Sequence, residues 1–267
     1  MFKQRLISGI VLVIIAFLTI YSGGYILWGT LAIVSLIGMR ELYAVVKNEN
    51  SVLGIAGYLC AIGFYLLLLM KADQPQYLVM MFIILMIAVM TVYVFQFPKY
   101  TAEQVTMTFF GVIYVAVMLS YIYQTRMLED GLFIVALVFL CSWGCDTCAY
   151  CAGVLLGKHK MAPKLSPKKS VEGAVGGLLG AALLGALYAL AVGHWGGVEA
   201  SVGGYALICF VGGMISMVGD LAASAIKRNH NIKDYGKLIP GHGGILDRFD
   251  SVIFTAPVIY YLAITLL

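Results

Sequence analysis

Asp247, Arg248 and Asp250 close a polar run, KLIPGHGGILDRFD (residues 237–250), in a chain that is otherwise oily. Two aspartates three residues apart share a face of any helix that begins there, and they offer hard oxygen ligands. The Arg248 guanidinium is a planar clamp for anions. Gly241, Gly243 and Gly244 permit backbone conformations and close approaches that other residues forbid. His242, set among them, either donates to a phosphate or braces the turn. Together these residue types describe a magnesium–phosphate site.

Upstream, Asp220, Ser224 and Lys227 lie near one face of SMVGDLAASAIKR, with Arg228 at its end. An acid inside an apolar stretch needs a cation. Asp220 is therefore expected either to pair with Lys227 or to ligate a metal together with acids from elsewhere, and Asp247 and Asp250 supply them. Further upstream, Asp146, Tyr150, Gly153 and Gly157 recur at helical spacing. This stripe reads as the wall of a polar cavity or as a helix-packing seam with one buried acid. It runs into KHKMAPKLSPKKSVEG (158–173), which holds five lysines and two prolines, and Ser170 suits the N-cap of a following helix. The cations and the free N–H groups of that helix entry suit phosphate oxygens, or they anchor the loop to anionic lipid heads. No nucleophile with a partnered base stands out. None is required if the attacking group is itself a phosphate, because the task is then to hold two polyanions together and neutralise the transition state.

The cysteine-rich run CSWGCDTCAYC carries less. Cys141, Cys145 and Cys148 share a helical face, but ligands rising along one straight helix cannot close a tetrahedral site. They read as small apolar residues in helix packing, with no structural disulfide.

The elements that position these residues follow from composition. Of 267 residues 62% are hydrophobic and 11% charged, and the mean hydropathy is +0.96. This fits an all-α, polytopic helical bundle in lipid. Nine spans are expected, at residues 6–22, 25–39, 52–70, 77–96, 104–124, 131–153, 171–193, 202–224 and 251–267. The first, after MFKQR, reads as half of a retained helical hairpin and not as a cleaved leader. With the N-terminus in the cytoplasm, 15 of the 17 Lys and Arg residues fall on the cytoplasmic side, leaving only Lys71 and Arg126 opposite. The formal charge of +4 thus reflects cytoplasmic loops, and nucleic-acid binding is not expected. One integral membrane domain, 1–267, is expected, with 1–130 mainly scaffold and 131–267 carrying the site. Residues 158–250 hold 16 charged side chains against 14 in residues 1–157, which places the chemistry late in the chain.

At these positions a resemblance enters. The stretch SAIKRNHNIKDYGKLIPGHGGILDRFD, Ser224 to Asp250, resembles the signature of phosphatidate cytidylyltransferases (CDP-diacylglycerol synthases), with its Lys-Arg, Lys-Asp, His-Gly-Gly and Asp-Arg-x-Asp elements in register. The block from Asp146 to Gly173 is similar to the family's other polar block. The resemblance implies that CTP and phosphatidate give CDP-diacylglycerol and pyrophosphate, with magnesium and a second cation such as K+ left open. It also implies a homodimer in the cell membrane with its cavity open to cytoplasm and lipid. On this reading Asp220 and Asp247 bind metal and Asp250 supports them, while Lys227, Arg228, Lys233 and Arg248 contact phosphates. Asp146, Ser166, Lys169 and Glu172 fall at motif positions. Ser224, His242, Gly243 and Gly244 complete the expected substrate contacts. A CTP-dependent lipid kinase of the polyprenol or dolichol type is the nearest alternative, against which the intact His-Gly-Gly and Asp-Arg-x-Asp elements argue. The acid pattern of CDP-alcohol phosphotransferases is missing. A cation transporter would use Asp146 and Asp220 as ligands but leaves the basic and glycine-rich loops without a purpose.

Overall fold

The computed structural model describes residues 2–70 and 75–267, with residues 2–6 and Pro75 by backbone only. Among the described residues nine helices follow in order. They are α1 (Phe2–Ser22), α2 (Gly24–Val45), α3 (Val52–Leu69), α4 (Pro75–Phe95), α5 (Ala102–Arg126), α6 (Gly131–Leu156), α7 (Val171–Gly196), α8 (Val202–Asn229) and α9 (Leu246–Leu266). The helices α2 to α9 are long and apolar enough to cross a membrane, and the apolar part of α1, Ile7–Ser22, is shorter. The expected polytopic helical bundle is what the chain forms. The sheet consists of one antiparallel hairpin, β1 (Lys160–Ala162) and β2 (Ser166–Ser170), which pairs Lys160 with Ser170 and Ala162 with Ser166. Lys71, one of the two basic residues expected opposite the cytoplasm, lies outside the described residues.

Several helices overrun their expected spans. α8 continues to Asn229 and α9 begins at Leu246, so hydropathy alone stops short of the charged helix ends. Lys227 and Arg228 sit in the last turn of α8, and Asp247 in the first turn of α9. Those signs complement the helix dipole, so the charged ends remain helical. Three helices contain a wide π segment, at Val112–Val117 in α5, Leu140–Gly144 in α6 and Val192–Gly196 in α7.

The chain divides into two compact units, one of Met1–Tyr123 with Asp234–Arg248, the other of Gln124–Lys233 with Phe249–Leu267. In the first unit, polar side chains tie apolar helices together. Tyr43 donates to the Thr108 carbonyl at 2.7 Å, Asn48 to Thr108 Oγ1 at 2.7 Å, and Trp28 to the Tyr65 carbonyl at 2.8 Å. Where lipid gives no hydrophobic drive between helices, such bonds and close packing hold the bundle. The second unit relies on small residues. α7 buries Gly173, Gly177, Ala181, Gly185 and Ala189, one every turn. A Cβ on Gly177 would press on Ala149 of α6 and Met217 of α8, and one on Gly185 on Cys209. The expected packing role of cysteine fits this seam, where Cys141, Cys145 and Cys209 are fully buried.

Candidate functional site

In the first unit the site is a turn held by two carboxylates. The loop from Tyr235 to Ile245 is closed by Ile239, which donates to the Gly243 carbonyl at 2.8 Å, and by His242, which donates to the Ile239 carbonyl at 2.9 Å. Gly241 and Gly243 have φ of 79° and 89°, a left-handed geometry that favours glycine. Asp247, 5% exposed, accepts the amides of Tyr235 at 2.8 Å and Gly244 at 3.0 Å, both on Oδ2. The carboxylate of Glu41, 9% exposed, accepts the amides of Ile245 at 3.0 Å and Leu246 at 2.8 Å. His242 Nδ1 lies 2.8 Å from Ser8 Oγ, and the Ser8 hydroxyl reaches the Pro240 carbonyl at 3.1 Å. Arg248, half-buried, follows Asp247 in α9.

In the second unit acids meet ammonium groups. Lys169, at the end of the hairpin, forms an ion pair with Asp220 of α8. Lys227 Nζ stands 4.0 Å from Asp250 Oδ2, with both side chains nearly buried. Asp250 also accepts the Ser251 amide at 2.8 Å. These pairs lie where α8 meets α9, since a Cβ on Gly219 would come within 3.0 Å of the Asp250 carbonyl and of Phe254. Asp220 thus faces Lys169, while Lys227, one of the two alternatives the sequence offered for Asp220, stands beside Asp250. Ser224 is half-buried one turn beyond Asp220.

The hairpin is organised by its ends. Ser170 caps α7 as expected, accepting the Gly173 amide at 3.1 Å. Glu172 closes the other side, accepting the amides of Lys158 and His159 at 3.1 and 3.2 Å and facing His159 Nδ1 at 2.5 Å. Lys158, Lys160, Lys164 and Lys168 are exposed, while Ser166, at the start of β2, is half-buried. Asp146 follows the π segment of α6 and is half-buried. Arg228 donates to the Ile232 carbonyl at 3.1 Å, at the end of its own helix, and Lys233 is exposed.

The structure therefore brings Lys169 to Asp220, Lys227 to Asp250, and Gly244 to Asp247. Glu172 is engaged with the hairpin's first residues, and His242 with Ser8. Sequence reading passed over Glu41, His159 and Ser8. Glu41 carried a usable signal, an acid buried within an apolar helix, but a span drawn at 25–39 leaves it outside.

Among the described residues no three His, Cys, Asp or Glu side chains gather as a metal site. Magnesium needs fewer, since it binds through one or two carboxylates and completes its shell with water and substrate phosphates. The carboxylates of Asp220 and Asp250, each paired with a lysine, are hard oxygen donors of that kind.

Residues 3–266 match the model of the cytidylyltransferase family. Similar proteins named phosphatidate cytidylyltransferase include one from Synechocystis sp., 32% identical over 99% of this chain and 97% of its own. One from Staphylococcus epidermidis is 33% identical over 98% and 99%, and one from Staphylococcus aureus 30% over 98% and 99%.

Proposed function

The chain belongs to the cytidylyltransferase family, and from that premise we propose that it is a phosphatidate cytidylyltransferase. It transfers the cytidylyl group of CTP to phosphatidate, giving CDP-diacylglycerol and pyrophosphate for phospholipid synthesis. In a chain that matches the family over residues 3–266, the observation that carries this reading is the pair of lysine–carboxylate contacts at the meeting of α8 and α9.

A phosphatidate oxygen attacks the α-phosphorus of CTP, and the bond to the bridging oxygen of the β-phosphate breaks to release pyrophosphate. The attacking group is already anionic, so the protein's work is orientation and charge compensation. Lys169 and Lys227 offer ammonium groups beside the two acids, and Arg248 offers a planar pair of donors for phosphate oxygens. Arg228 and Lys233 extend the cationic lining, Ser224 and His242 are further hydrogen-bonding groups for substrate, and Gly243 and Gly244 let substrate approach the turn closely. Asp146, Ser166 and Glu172 line or brace the nucleotide side. On this reading Asp220, Asp247 and Asp250 are the acids that would hold magnesium, which would supply neutralisation of the phosphates.

The protein acts as a homodimer in the cell membrane, with its site facing the cytoplasm, where CTP is found. In a cysteine-free background, a cysteine placed at Ser166 is expected to label from the cytoplasm and one at Gly196 from the opposite side. Reversed labelling would move the site away from its nucleotide.

The reaction is tested by following phosphorus. With magnesium and phosphatidate, purified protein is expected to move label from α-labelled CTP into lipid and none from γ-labelled CTP. Lipid label from the γ position, above all with a polyprenol acceptor, would make the chain a kinase.

A further inference from the structure

In the first unit α9 is held at its start in an unusual way. The helices α3, α5, α7 and α8 are capped by their own N-cap residues, Ser51, Thr101, Ser170 and Ser201, each accepting an amide of the first turn. α9 has glycine and isoleucine at that place, and its first amides go instead to Glu41 of α2, about two hundred residues away in sequence. Each carboxylate oxygen of Glu41 takes one amide, Oε1 from Ile245 and Oε2 from Leu246. Glycine shapes the seat, because a Cβ on Gly236 or Gly244 would overlap the Glu41 carboxylate. Gly244, which the sequence offers as a point of approach for phosphate, is thus also required by an acid of the same unit. The next residue after these two amides is Asp247, followed by Arg248.

We propose that Glu41 is a positioning residue for cytidylyl transfer. Its carboxylate holds the first turn of α9 from α2 and so fixes where Asp247 and Arg248 stand. A local serine cap would leave the turn free to shift with its loop, whereas a buried carboxylate on a separate helix ties the turn to the bundle. Gln is nearly isosteric with Glu but has a single acceptor oxygen, and its NH2 group would face the second amide donor. The turn then loses one anchor while the space stays filled.

This inference rests on the cytidylyltransferase reading, and the test separates the two. The protein in lipid nanodiscs is compared with its Glu41→Gln and Glu41→Ala variants. Three quantities are read, namely thermal midpoint, steady-state kinetics with CTP and phosphatidate, and amide exchange of residues 243–248 without substrate. The Gln variant is expected to keep its midpoint within a few degrees, to lose kcat by about thirtyfold and to keep KM for CTP within about threefold, the pattern of a lost transition-state alignment. Its 243–248 segment is expected to exchange about tenfold faster, while the segments of α6 to α8 stay unchanged. Ala is expected to exceed Gln in both effects. A kcat per folded molecule within twofold of wild type, or unchanged exchange at 243–248, would overturn the proposal. Failure of both variants to fold would also overturn it, making Glu41 a determinant of the fold and not of the turn. If wild-type protein makes no CDP-diacylglycerol, the assigned reaction falls, while the exchange measurement still decides whether Glu41 holds the turn.

Discussion

The two compact units differ in what they set against their acids. In the first, Glu41 and Asp247 are satisfied by backbone amides, four of them, all around the start of α9. In the second, Asp220 and Asp250 face the ammonium groups of Lys169 and Lys227, and one backbone amide, that of Ser251, joins them at Asp250. Amides belong to the chain and cannot leave, so acids held by them fix a shape. Ammonium groups sit on flexible stems and can exchange with a metal or move to a phosphate. Glu41 thus holds a turn, Asp220 and Asp250 face exchangeable cations, and Asp247 has both tasks if the proposed function holds.

The sharpest way to break this distinction is Asp247→Asn. An Asn oxygen can keep both amides of Tyr235 and Gly244, so the turn is expected to survive while the charge is lost. CDP-diacylglycerol formation should then fall on the order of a thousandfold, with the protein still folded by its thermal midpoint. Near-normal activity would leave Asp247 with a purely structural task and confine the chemistry to the second unit.

A smaller effect is expected from Lys169→Met. Removing an exchangeable ammonium leaves the backbone in place but takes a cation from the phosphates. kcat/KM for CTP should drop about ten- to a hundredfold, and the magnesium concentration for half-maximal rate should fall because Asp220 no longer has a competitor. An unchanged or higher magnesium requirement would mean that Asp220 is not a ligand. The smallest change is Gly219→Ala, where the added methyl comes within 3.0 Å of the Asp250 carbonyl and Phe254. About 1–2 kcal/mol of stability is expected to be lost by overpacking, read as a fall of a few degrees in midpoint, together with a weaker Lys227–Asp250 contact. A variant as stable as wild type would show that α8 and α9 have slack where they meet.

Residues that were legible in the sequence shared one property, in that their meaning was local. Ser170 caps the helix that begins one residue later. Gly241 and Gly243 take the left-handed geometry their types allow, and the apolar runs became helices. What stayed hidden depended on partners distant in sequence. Nothing near Glu41 announces that it will meet amides at 245 and 246. The choice of Lys169 for Asp220 depends on a hairpin whose bulged register places that lysine at its end, while Lys227, the partner suggested by helical spacing, turned to Asp250. The π segment before Asp146 was invisible for another reason, because residue types select helix far more strongly than they select a wide turn within one.

The length of α8 bears on how the lipid reaches the enzyme. Its 28 residues span about 42 Å, against roughly 30 Å for a bilayer's hydrocarbon. The surplus amounts to two turns, so the helix is long enough to traverse the acyl region and still extend into a headgroup layer. The charged stretch of α8, Asp220 to Arg228, covers about 12 Å, as much as that surplus. On the proposed function, phosphatidate would then be converted while its acyl chains remain in the leaflet, and CDP-diacylglycerol would leave by sideways diffusion, without extraction of either lipid into water.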